Sequence, residues 1–160
     1  MKAANSQIID DLQTSAQMLA HLAGQYQVDV QNVKVMGVKW LAKHLRCWYG
    51  GSEDQLRKII KRLFQFGVDP EYDAGSVAGA STLDEILERA EALVTAVHDQ
   101  MCGFRYRAYE AKPDYTSDLY EHAIHELEHQ LTHIEREREL IKTVGNAGYI
   151  SARLEDDPKK

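Results

Sequence analysis

Apolar residues recur every three or four positions through almost the whole chain, a spacing that leaves room for little except long helices. Ile9, Leu12, Ala16, Leu19, Ala23, Tyr26, Val30 and Val33 form the first stripe, which runs to about Gly37. At about 1.5 Å per residue, such a helix is roughly 45 Å long. A second stripe comprises Val38, Leu41, Leu45 and Trp48, then Leu56, Ile59, Leu63 and Phe66. Gly50 and Gly51 lie between its halves. Followed by Ser52 and Gln55, which have capping-box spacing, the glycine pair is expected to break the helix or to let another group approach closely.

The segment FGVDPEYDAGSVAGAS, residues 66–81, is the one long irregular stretch and has the look of a crossover. Thr82 and Glu85 form a further capping-box signature ahead of a third stripe through Ile86, Ala90, Val94, Val97, Met101, Phe104 and Ala108. Lys112-Pro113-Asp114 closes it. A fourth stripe begins near Ser117 and passes through Leu119, Ala123, Leu127, Leu131, Ile134 and Ile141 to Val144-Gly145, with a short fifth helix expected in GYISARL. The expected fold is all-α: a four-helix bundle with one long crossover and a short C-terminal helix. It occupies residues 1–154 as one domain, followed by a polar tail at 155–160. With only 3 prolines and 10 glycines in 160 residues, a many-turned β architecture is excluded.

Charge narrows the function classes. The net charge is -6, and residues 71–160 hold 19 of the 25 acidic side chains, an unfavourable balance for binding a phosphate backbone. No run of about 18 apolar residues is present and no apolar secretory core opens the chain, so a cytoplasmic protein with neither nucleic-acid nor membrane partner is expected. Cys47 and Cys102 match no metal-knuckle or redox motif and read as idle thiols.

The order of these segments resembles bacterioferritin. The resemblance rests on Gln25-Tyr26 followed by GVKWL at Gly37–Leu41, on IKRLFQFGVDP at Ile60–Pro70, on LDEILERAEAL at Leu83–Leu93 and on HIERERELIKTVGNAGYISARL at His133–Leu154. It implies a ferritin-like bundle assembled into a hollow oligomer that oxidises Fe(II) at a di-iron site and stores the mineral. Such a site needs one carboxylate from each of two helices and a Glu-x-x-His pair from each of the other two. Here the first helix holds Leu19 at the inward position, the second has Ser52-Glu53-Asp54-Gln55-Leu56 where Glu-x-x-His is implied, the third has Val94-Thr95, and the fourth has Leu127 and Gln130. The haem methionine that the resemblance implies midway along the second helix is also missing between Trp48 and Leu56. Gly50 and Gly51 beside Trp48 would still admit a planar ligand such as haem, while Trp40 and Trp48 would anchor a dimer contact.

His122, His125, His129 and His133 form one row within roughly 80° of each other on the fourth helix, with Asp118, Glu126 and Glu137 in or beside it. Relative to Leu127 the row lies away from the apolar stripe. Imidazoles at this spacing can hold a borderline transition metal, and neighbouring carboxylates admit iron; the same composition also suits a solvated polar face. His122, His125, Glu126, His129 and His133 are therefore the candidate metal ligands. His21, His44 and His98 read as surface or boundary residues. Three functions fit these residues. One is an iron- or metal-binding shell subunit without a ferroxidase centre of its own, in a homo-oligomer or beside a catalytic ferritin subunit. A second is an active ferroxidase using a shifted Glu126/His129 site, and a third is a non-metal interaction protein on the same scaffold.

Overall fold

The computed structural model describes residues 2–73, 75–111 and 115–155, and the side chains of residues 5–154 within them. Among the described residues there are four α-helices and no strand: α1 (Lys2–Val35), α2 (Lys39–Gln65), α3 (Leu83–Ala111) and α4 (Tyr115–Glu155). α1 packs chiefly on α2 and α3 chiefly on α4, while α1 against α3 and α2 against α4 close the ring. All four apolar stripes turn inward, with Leu12, Leu19, Tyr26, Leu41, Leu45, Ile59, Ile86, Val94, Met101, Leu127 and Ile134 buried along the axis.

The turns show why the helices stop where they do. After α1, Gly37 takes φ +85°, Val38 N–H reaches Val33 O and Gly37 N–H reaches Lys34 O, closing the last turn with a left-handed glycine. The same arrangement ends α2 at Gly67. Thr82 opens α3 as its spacing suggests: Glu85 N–H donates to Thr82 Oγ1, and Glu85 Oε2 accepts from the N–H groups of Ser81 and Thr82. Lys112-Pro113-Asp114 lies outside the described residues, as does the tail from residue 156.

Two expectations need correction. Gly50 and Gly51 do not break α2, which runs unbroken through both, and Ser52 and Gln55 are buried side chains of the helix interior rather than a cap. Trp48 is a core residue at 5% exposure, so it is not an exposed anchor. The helix expected in GYISARL follows a break in the helical backbone: Gly145 takes φ 74° and ψ 171°, non-helical values that kink α4 there, and the helical segment beyond it is tied back to the helix before it. Buried Glu137 accepts from Tyr149 Oη at 2.7 Å and from Arg153 Nη2 at 2.6 Å, and the Arg153 guanidinium lies 3.8 Å from the Trp40 ring centre.

The crossover is held by a ladder of amide side chains on α1. Gln13 donates to Asp69 O and accepts from Glu71 N–H, Gln17 donates to Asp73 O and accepts from Asp73 N–H, and Gln25 does both to Ala78. Asn32 donates to Ala80 O. Each glutamine offers the crossover what a neighbouring strand would offer, a carbonyl and an N–H, and Asn32 offers an N–H, so backbone groups of Asp69, Glu71, Asp73, Ala78 and Ala80 are met along α1 from Gln13 to Asn32.

Candidate functional site

The six positions where the resemblance would place metal ligands are all buried. Leu19, Ser52, Val94, Leu127 and Gln130 are each no more than 2% exposed, and Gln55 is 8% exposed. They supply three aliphatic groups, two amides and one hydroxyl. Neither a carboxylate nor an imidazole is among them, so this donor set does not fit two iron ions, which need anionic oxygen and imidazole nitrogen ligands. The central polar contacts are neutral instead: Tyr26 Oη donates to Gln130 Oε1 at 2.7 Å. Burial, reinforced by the charges of Asp29 and Glu126, lifts the Tyr26 phenol well above its ordinary value, so it keeps its proton and remains the donor.

Gln130 carries that contact outward. Its Nε2 donates to Glu126 Oε1 at 3.2 Å, and the Glu126 side chain lies flat against Gly51 of α2. A Cβ built on Gly51 would stand 2.5 Å from Glu126 Oε1, closer than such atoms pack. The glycine is thus a seat for a carboxylate of its own chain. That occupant stands where the sequence suggested a planar ligand. Nor does a haem held by a mid-helix methionine fit: Met18 is on α1, Met36 in the α1–α2 link and Met101 on α3.

Beyond Glu126 the two helices open into a groove of about 790 Å³. His122, His125, Glu126, His129 and His133 all line it, with Gln55 of α2 on its wall. The row therefore lies on one face, as its spacing requires. The rings do not meet at a point, however. His129 and His133 pair edge to face at 4.7 Å, whereas His125 Nδ1 turns towards Glu128 Oε2 at 3.8 Å. As the side chains stand, no group of three or more His, Cys, Asp or Glu among the described residues is gathered tightly enough to hold a metal ion. Of the flanking carboxylates, Glu137 is committed to Tyr149 and Arg153, and Asp118 is exposed and does not line the groove.

Two contributors escaped the sequence reading. His44 of α2 stacks on His133 at 6.0 Å between ring centres and sits 4.0 Å from Trp40, extending the imidazole series across to the second helix. Burial, and then the neighbouring His133, lower the His44 pKa, favouring a neutral ring with a free lone pair. Gln55 is the other: its Oε1 is buried without a hydrogen-bond partner beside the groove, and so is the Ser52 hydroxyl one turn earlier. The spacing Trp40–His44–Trp48 is the signal that could have revealed His44. No signal identified Gln55, which carried the look of a cap.

No protein-family model matches the sequence, and no curated protein matches it significantly. Solved structures do. A bacterioferritin of Desulfovibrio desulfuricans, described for its diiron site in different catalytic states, superimposes with a TM-score of 0.88 at 20% identity over 94% of this chain and 88% of that one. The bacterioferritin of Mycobacterium tuberculosis superimposes with a TM-score of 0.87 at 20% identity over 92% and 93%. The fold is that of a bacterioferritin. In this bacterioferritin-like bundle, no helix of the described residues is long and apolar enough to cross a membrane.

Proposed function

We propose that this chain is a metal-binding, iron-storage-type subunit of a ferritin-like shell, without a ferroxidase centre of its own. The observation that carries the reading is the contrast in donors: six histidine and glutamate side chains, Glu128 among them, line one groove between α2 and α4, while the bundle centre is furnished with leucine, valine, serine and glutamine. In this reading the groove faces the cavity of the shell, and His122, His125, Glu126, His129 and His133 hold iron or another transition metal delivered there. The shell is a homo-oligomer or is shared with a catalytic subunit that carries out the oxidation. Fe(II) is cargo here, not a resident cofactor.

Titrating the untagged protein anaerobically with Fe(II) tests this. The double variant His125→Ala/His129→Ala should bind at least about tenfold more weakly, since two ligands of a borderline metal are gone. Equal binding by both proteins would refute the groove. In air, Fe(II) should oxidise no faster than in buffer. A faster rate that vanishes in Glu126→Ala would instead support a working Glu126/His129 centre, a reading suggested by Glu126 reaching in towards Gln130.

A further inference from the structure

The end of α4 beyond Gly145 is a short arm laid back on the bundle. Of the described side chains of residues 146–154, Tyr149 alone is buried, and Leu154 is 51% exposed. A segment with so few buried apolar contacts has a stability of its own and can open while the rest of the protein stays folded. Gly145 supplies the turn. Its φ of 74° and ψ of 171° fall in a region that glycine alone populates readily, and a Cβ built there would meet nothing within 4 Å. The turn is set by the backbone alone, with no packed neighbour to obstruct its movement.

Polar contacts hold the arm down. Buried Glu137 accepts from Tyr149 Oη at 2.7 Å and from Arg153 Nε and Nη2 at 3.1 and 2.6 Å, and the same guanidinium lies 3.8 Å above the Trp40 ring of α2. Apolar packing is incomplete: a hollow of about 70 Å³ remains between residues 37–40 and Ile150, Arg153 and Leu154. Charge-assisted bonds of this kind are directional, so they fix one closed position and are lost together once the arm leaves it. The residues that leave are the ones that contact the Glu137 carboxylate, so opening hands both charges to water at once.

The arm reaches one end of the groove between α2 and α4. Trp40, under Arg153, stands 4.0 Å from His44, whose ring stacks on the groove residue His133 at 6.0 Å. Arg136 lines both the groove and a hollow of about 450 Å³ that Arg153 borders. Two separate lines of contact thus lead from the arm to the same place. We propose that residues 146–155 form a latched lid, hinged at Gly145, over the His133–Arg136 end of the groove. Closed, it is held by Glu137 and Trp40; open, it bares Trp40 and lets solutes reach His44 and His133 from the end of the groove as well as from its side. The lid depends on where the groove lies and not on what the groove holds, so it stands apart from the storage reading.

Three measurements on the whole protein test this. In native-state hydrogen exchange, amides of residues 148–154 should exchange at least about tenfold sooner than those of residues 123–134, and Tyr149→Phe should hasten the first group at least about tenfold further without moving the second. Arg153→Ala removes the latch, and Gly145→Ala favours carrying the helix straight on, away from Trp40. Both should at least double acrylamide quenching of tryptophan fluorescence, a signal that reports Trp40 because Trp48 is shielded in the core. In both, carbethoxylation of His44, mapped by mass spectrometry, should quicken at least about threefold while that of His98 stays unchanged. Exchange of the arm in step with residues 123–134 would overturn the lid, as would unchanged quenching in both variants when circular dichroism shows them folded. An arm that opens while His44 reacts no faster would also overturn it, because the arm would then not cover the groove.

Discussion

The bundle centre, to which all four helices contribute, and the groove between α2 and α4 on its flank are chemically opposite. On α4, Leu127 and Gln130 face the axis and are buried, while Glu126 and His129, one residue earlier in each case, line the groove. A step of one residue turns a side chain by about 100° on a helix, enough to exchange a dry interior for solvent. The centre is therefore a packed core with neutral hydrogen bonds, and the groove is a polar face rich in ligand atoms. Glu126 joins them through Gln130, and Gly51 makes room for it. The comparison teaches that a ferritin-like bundle can keep a neutral, packed axis while a row of histidines and carboxylates lines its flank.

The strongest way to break this contrast is to return a charge to the centre. Leu127→Glu places a carboxylate in a position only 2% exposed and should cost about 3 kcal/mol or more in urea unfolding at pH 7. The loss should shrink as the pH falls, since burial raises a carboxyl pKa and the neutral acid is cheaper to bury. A loss below about 1 kcal/mol would mean that the centre is wetter and more adaptable than its packing implies.

Next in size is the neutral contact itself. Tyr26→Phe removes the donor to Gln130 Oε1 and leaves an acceptor unmet in the core, which should cost about 1–3 kcal/mol by thermal or chemical unfolding. A neutral outcome would show that Gln130 finds another partner there.

The junction gives a smaller, more diagnostic effect. Glycine to alanine inside a helix usually stabilises by about 0.5–1 kcal/mol. Gly51→Ala should show none of that gain while Glu126 is present, because the new methyl displaces its carboxylate, and should recover it in a Glu126→Ala background. A double-mutant cycle of unfolding free energies measures the difference; additivity would show that the two residues do not touch.

Smallest of all is the groove's share in stability. His125→Ala/His129→Ala should change the unfolding free energy by no more than about 0.5 kcal/mol, since both side chains are exposed. A larger loss would make the row a structural element rather than a site.

Periodicity made the four helices, the crossover and the inward register of Leu127 and Gln130 legible, because burial imposes its spacing directly on the sequence. It also set the histidines on one face. Other features depended on contacts across helices, which local patterns do not encode. Gly50-Gly51 reads as a break because glycine weakens a helix; packing of α2 in the bundle overrides this, and only the position of Glu126 explains Gly51. Ser52 and Gln55 have the residue types of a cap but lie buried well inside α2.

The amide ladder on α1 has a consequence for how this protein can vary. Gln13, Gln17, Gln25 and Asn32 grip the crossover almost wholly by its carbonyls and N–H groups, which every sequence there would present, proline's missing N–H aside. Apart from Gly75, whose φ of +65° and close approach to His21 do ask for a glycine, the grip is blind to what the crossover carries. Tyr72 and Val77 already point their side chains outward at 40% and 41% exposure. The segment is a display strip: its path is fixed from beneath by uncharged groups that neither salt nor ordinary pH will loosen, while its lettering can be rewritten without disturbing the bundle.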